Sequence, residues 1–292
     1  MPESHVYKEV DGCEISLDIH RPSHPEQSSP AIIFIHGGAL INGSRDRASE
    51  AGIRYTDRGY TVFSIDYRRA PETKLPEIVS DVEDALAWVR QTGSELTSVN
   101  PDRIAVVGHS AGGYLTLMSG TFTTPPKALV SLYGYGDIVG RWYSKPDPFY
   151  CTKPMVSEAA AREHHDGPPV TQPSDRPGTG EFYLYCRQQG VWPNEVGGRD
   201  PEVDPGFFIP YCPEQNITTA YPPTMMLHGT ADTDVPYAQS VSMSAALTEK
   251  SIVNHLVTIE EGGHGFDADK RKSDPDILAA WDRVYAFLDK HV

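Results

Sequence analysis

Long apolar runs are scarce in this 292-residue chain: the longest near its start is Ala31–Ile35, far short of the ~20 residues that a membrane helix needs. The opening Met1-Pro2-Glu3-Ser4 is not a basic leader and no apolar stretch follows it, so no secretory signal is expected and a cytoplasmic location is. Cysteine is also scarce. Cys13, Cys151, Cys186 and Cys212 show none of the short paired spacings of a zinc site, and the last three share one middle stretch, which leaves a disulfide there open. Positive charge is outweighed, 25 Lys+Arg against 40 Asp+Glu, for a formal net charge of −15. Phosphate neutralisation needs clustered Lys and Arg, and none cluster here, so nucleic acid is not expected as a partner. Internal repeats and low-complexity tracts are absent as well.

The composition that remains, 39% hydrophobic and 22% charged, is that of a globular protein with a sizeable core. The first half alternates strand-like and helix-like segments, the pattern of an α/β fold with a mostly parallel central sheet flanked by helices. Val6–Val10 and Glu14–Asp18 read as a strand pair joined at Asp11-Gly12. Ala31–His36, Tyr60–Asp66, Arg103–Gly108 and Ala128–Tyr133 read as further strands, as do Thr224–Leu227 and His255–Glu260. Helices are expected around Ser44–Asp57, through Ile78, Val82, Leu86 and Val89, over Ala111–Ser119 and over Tyr237–Lys250. A last one is capped by Asp274-Pro275, with Ile277, Trp281, Val284, Tyr285 and Leu288 on one face.

Between Gly136 and Pro223 the alternation stops. Residues 146–223 hold 14 of the chain's 25 prolines, so regular elements there must be short. The chain therefore divides into a core of residues 1–136 and 223–292 and a long lid-like insertion, residues 137–222, that precedes the last strands. Its aromatics (Trp142, Tyr143, Phe149, Tyr150, Phe182, Tyr183, Trp192, Phe207, Phe208) belong to a segment that packs and shapes a binding site rather than to a solvated loop.

Gly108-His109-Ser110-Ala111-Gly112 matches G-x-S-x-G directly after a strand and directly before a helix. A serine on so tight a turn needs small neighbours, and the helix N-terminus offers free N–H groups to a developing oxyanion. A serine hydroxyl is a weak nucleophile without a base. His264, in Gly262-Gly263-His264-Gly265-Phe266 just after the last strand, is the candidate; His109 is adjacent to the serine but points elsewhere on a sharp turn. The base needs an acid to fix its tautomer. Asp232, in His228-Gly229-Thr230-Ala231-Asp232-Thr233-Asp234, is the choice and Asp234 the rival, one of the two being free to cap the following helix. The order Ser110, Asp232, His264 is that of the α/β-hydrolase fold and not of chymotrypsin or subtilisin.

His36-Gly37-Gly38-Ala39 resembles the HGGG oxyanion-hole motif of esterases and lipases. Ala39 replaces the third glycine, which costs no N–H but excludes φ > 0 there, so the expected donors are Gly37, Gly38 and Ala111. With Tyr67-Arg68-Arg69-Ala70-Pro71-Glu72 added, the motifs run in order over residues 31–290. The chain resembles an α/β-hydrolase of the hormone-sensitive-lipase-like or acetyl- and feruloyl-esterase-like serine esterases. That resemblance implies a small-molecule ester substrate, cleaved through an acyl-enzyme by Ser110, His264 and Asp232, with small or short acyl groups favoured. It implies no metal and no organic cofactor, and it leaves a homodimer open, since edge-strand dimers are common among similar esterases; the short apolar runs already make a membrane partner unexpected. An amidase, a lactonase, a prolyl-oligopeptidase-like peptidase and a non-catalytic ligand-binding relative are the rival readings on the same fold.

Overall fold

Asp11 and Gly12 both take left-handed backbone, φ 52° and 74°, and this two-residue turn folds β1 (Glu3–Val10) back on β2 (Cys13–His20) as an antiparallel hairpin. The computed structural model describes residues 2–24, 26–47, 54–165, 167–176, 179–268 and 273–292. The later strands are β3 (Ser29–Ile35), β4 (Thr61–Ile65), β5 (Val99–His109), β6 (Ala128–Leu132), β7 (Thr224–Gly229) and β8 (Asn254–Ile259). They complete one eight-stranded sheet in the order β1-β2-β4-β3-β5-β6-β7-β8, antiparallel at β1-β2 and β2-β4 and parallel across the rest. The continuous apolar runs read from the sequence are the central strands: every residue of β4 and β6 is buried, as a sheet covered on both faces requires.

Side-chain alternation then divides the core in two. Ile33, Ile35 and Val106 face the layer that contains α1 (Leu75–Trp88) and α2 (Ala111–Ser119). Ile32, Phe34 and Val107 face α5 (Pro275–His291) through its Ile277, Trp281, Val284 and Leu288. The face expected of that last helix is therefore the buried one, with Tyr285 only partly covered. Asp274 stands at its N-cap position but its side chain makes no capping bond, and Pro275 at the first turn needs no N–H acceptor. The helix expected around Ser44–Asp57 is a short turn at Arg45–Arg47 plus a helical stretch from residue 54; residues 48–53 lie outside the described ones.

The stretch before β7 is built mostly of short helices: Arg141–Ser144, Glu158–Arg162, Trp192–Gly197 and Pro205–Phe208. One, α3 (Thr179–Gln189), reaches 11 residues, because no proline falls within it. Tyr143 stacks between Trp142 and Trp192, at 3.7 and 4.1 Å between ring centres, and Tyr143, Phe182, Trp192 and Phe208 are all buried. All four cysteines are free thiols, so the disulfide left open does not form. The helix between β7 and β8 is α4 (Ala238–Glu249). Among the described residues no helix is long and apolar enough to cross a membrane.

Candidate active site

β5 ends and α2 begins within three residues, and Ser110 sits at the joint with φ 55° and ψ −119°. That backbone is costly for any residue with a Cβ. It is held because Ser110 N donates to Leu132 O at 2.9 Å, and because the neighbouring chain comes too close to relax. A Cβ on Gly112 would stand 2.1 Å from Ile35 O, and one on Gly37 would stand 2.7 Å from His109 O. Glycine at these two positions lets β3, its following loop and the serine turn pack backbone to backbone.

The loops after β7 and β8 meet this turn. His264 Nε2 lies 3.0 Å from Ser110 Oγ, and its Nδ1 lies 2.8 Å from Asp232 Oδ2. The ring of Tyr133 stands edge-on against the imidazole at 4.7 Å. Asp232 has a fully buried carboxyl whose Oδ1 accepts the N–H groups of Asp234 and Val235, at 2.8 and 2.9 Å. Burial would push its pKa up, but hydrogen bonds from His228 and His264 prevail and hold it well below the usual carboxylate range. Burial likewise opposes charge on His264, yet the bond to Asp232 and the carboxylates of Asp234 and Asp232 raise it above the ordinary imidazole value. Neither aspartate caps α4: the residue before that helix is Tyr237, with no side-chain cap. His109 turns away from the pair, its Nε2 3.9 Å from Asp267 Oδ2 and its ring edge-on to Phe34.

Across from His264 lies the glycine loop after β3. The N–H groups of Gly37, Gly38 and Ala111 find no acceptor among the described residues. One expectation about this loop is overturned. Ala39 does adopt a left-handed backbone, φ 57°, as does Leu40 at 60°. Tertiary bonds outweigh the strain: Trp192 Nε1 donates to Ala39 O at 3.0 Å, and Ala70 N donates to Leu40 O at 2.9 Å. Ala39→Gly should therefore leave stability unchanged or raise it by up to about 1 kcal/mol, with activity retained, since relief of strain offsets the added unfolded-state entropy. Denaturant unfolding reads this, and a loss of about 1 kcal/mol, the usual loop value, would contradict a left-handed residue 39.

The Tyr67–Glu72 segment buttresses the same loop. Tyr67 stacks on His36 at 4.4 Å and donates to its carbonyl at 3.1 Å, and Arg69 Nη1 donates to Gly43 O at 3.0 Å. Arg176, paired with Glu72, donates to Ala70 O and Ile41 O. Ser110, His264, Gly37 and Gly38 open on a cavity of about 630 Å³. Its far wall carries Arg54, whose guanidinium lies 3.8 Å over Trp281, and Asp267, which accepts from Tyr133 Oη at 2.9 Å. Tyr183 and Asp234 close another side. Arg54 and Asp267 carry no motif, and no feature of the linear sequence singles them out, whereas Tyr183 is one of the aromatics expected to shape a binding site.

Comparison with known proteins decides what this architecture is. An esterase of Thermogutta terrifontis, esterase 2, superimposes over 99% of this chain and 94% of its own with a TM-score of 0.70 at 22% identity. A Staphylococcus aureus protein of unknown function superimposes over 100% and 99%, with a TM-score of 0.78 at 22% identity. The chain has the α/β-hydrolase fold. The BD-FAE family profile matches residues 17–132 of this chain, and that of the prolyl oligopeptidase family matches residues 192–292. Among curated relatives, esterase LipC of Mycobacterium tuberculosis is 29% identical over 86% of the chain and 57% of its own length. The non-reducing polyketide synthase adrD of Penicillium roqueforti is 28% identical over 99% of the chain. The hydrolase-fold chain spans only 14% of that synthase's length.

Proposed function

We propose that the chain is a serine carboxylic-ester hydrolase working through an acyl-enzyme. The observation that carries this reading is the continuous hydrogen-bonded line from buried Asp232 through His264 to Ser110 at the floor of a cavity. Ser110 Oγ attacks the ester carbonyl as His264 Nε2 takes its proton, and Asp232 holds Nδ1–H and stabilises the imidazolium. The N–H groups of Gly37, Gly38 and Ala111 receive the oxyanion, donors typically worth about 3 kcal/mol each in the transition state. His264 then protonates the leaving alcohol, and water repeats the sequence on the acyl-enzyme.

Small or short acyl groups fit best, because Arg54, Asp267 and Asp234 interrupt the apolar wall that a long alkyl chain would need. The Thermogutta terrifontis esterase has been solved with propionate and with butyrate bound, which supports the same reading here. The 137–222 segment contributes to the cavity through Tyr183. The substrate is a small molecule, and Ser110, His264 and Asp232 need no cofactor.

A p-nitrophenyl ester series from acetate to decanoate tests it. Hydrolysis should be best for the short esters and fall with chain length; no turnover of any ester, with turnover of anilides or peptides, would transfer the site to the amide-cleaving reading that the prolyl-oligopeptidase match favours. The pH profile has a definite sign. The base must start neutral and its pKa is raised, so kcat/KM should climb with pH through a midpoint above the ordinary imidazole value of about 6.5. Asp232 stays ionised throughout and adds no second limb in that range.

A further inference from the structure

The turn that carries Asp232 presents a second carboxylate to the same histidine. We propose that Asp234 is a positioning residue for His264, held against Nε2 by an arginine clamp that the 137–222 segment supplies. The inference rests on the reading of His264 as the base. Asp234 Oδ2 lies 3.5 Å from His264 Nε2, the nitrogen that faces Ser110. Its other oxygen is fully engaged: Oδ1 accepts from Tyr150 Oη at 2.8 Å, Tyr183 Oη at 2.5 Å and Arg187 Nη1 at 2.7 Å.

Arg187 fixes the whole group. Its side chain is 1% exposed, and Nη1 reaches the Asp234 carbonyl at 3.0 Å while Nη2 reaches Asp147 Oδ2 at 2.6 Å. The guanidinium lies over the rings of Tyr150 and Tyr143, at 4.6 and 4.9 Å. With three donors on Oδ1, the carboxylate cannot rotate, so Oδ2 remains turned to the imidazole. Asp147, Tyr150, Tyr183 and Arg187 all belong to the segment before β7, so the orientation of Asp234 depends on that segment's packing.

The electrostatic consequence follows from which groups face the ring. Asp232 stands at Nδ1 and Asp234 at Nε2, and both favour the imidazolium. Arg187, behind Asp234, opposes it, as does burial under Tyr133. His109, beside the nucleophile, has its pKa lowered by its own burial. The raised pKa of His264 agrees with the two carboxylates outweighing the arginine. Asp234 thus stabilises the protonated base at the moment it holds the serine proton, and Arg187 limits that stabilisation so that the proton can still leave for the alcohol.

Full-length protein carrying [ε1-13C]histidine, titrated by NMR, tests this without reference to any substrate, with the His264 resonance assigned by its loss in His264→Gln. Asp234→Asn should lower the His264 midpoint by about one pH unit, a tenfold change in proton affinity, and Asp234→Glu should restore most of it. Arg187→Gln leaves the Tyr150 and Tyr183 hydroxyls to hold Oδ1 and removes the opposing charge, so it should move the midpoint the other way. Melting curves identify which variants are folded, and the opposite signs let either one carry the test alone. The acidic limb of ester hydrolysis should move with the titration. An unchanged midpoint in folded Asp234→Asn or Arg187→Gln, or activity lost equally at every pH, would overturn the inference. A shifted midpoint in a protein that cleaves no ester would uphold the pairing and overturn the esterase reading instead.

Discussion

Ser110→Ala is expected to lower kcat/KM for a short p-nitrophenyl ester by about 10⁴- to 10⁶-fold while leaving the melting curve in place. The hydroxyl lies 3.0 Å from His264 Nε2, and its removal leaves neither an attacking atom nor an acyl acceptor. Folding should not suffer. The strained φ of 55° at residue 110 is held by the bond to Leu132 O and by backbone packing around Gly37 and Gly112, none of which involves the hydroxyl. A small residual rate over water is expected from the N–H groups of Gly37, Gly38 and Ala111. Turnover within about tenfold of the unaltered chain would remove Ser110 from the chemistry.

Asp232→Asn should cost about 10⁴-fold in kcat, with the fold again intact. An asparagine oxygen can still accept the N–H groups of Asp234 and Val235, so the turn survives. Its NH2, however, would donate to His264 Nδ1, leaving the hydrogen on Nε2, where the nitrogen could no longer accept the serine proton. Asp234→Asn should lower the plateau rate only a few-fold, because Asp234 faces Nε2 from 3.5 Å and does not set the tautomer. Steady-state kinetics of the two variants side by side separates the roles; the larger loss at residue 234 would exchange them.

How much of this was visible in the chain can be argued from particular residues. The G-x-S-x-G turn was legible because its requirements are local: a strand, a helix and small residues between them all lie within Val99–Ser119. The partners were legible because each follows a strand end, and parallel strands bring their C-terminal ends to one edge of the sheet. Ala39 was misjudged. Intrinsic φ preference excludes its conformation, but Trp192, 153 positions away, and Ala70 impose it. The short elements expected before β7 held except where α3 is free of proline.

The amino-acid sequence by itself determined the class of fold and the alternation of strands with helices, and it singled out Ser110, Asp232 and His264 as candidates, because periodicity, turn composition and motif order act over short stretches of chain. Only the tertiary structure decided what surrounds them. Asp234 looks like a spare acid or a helix cap in the sequence. It becomes a partner of His264 once Tyr150, Tyr183 and Arg187, which lie 84, 51 and 47 positions away, close on its other oxygen. Electrostatic contacts of that kind depend on distance in space and on exclusion of water, and the linear order of residues records neither.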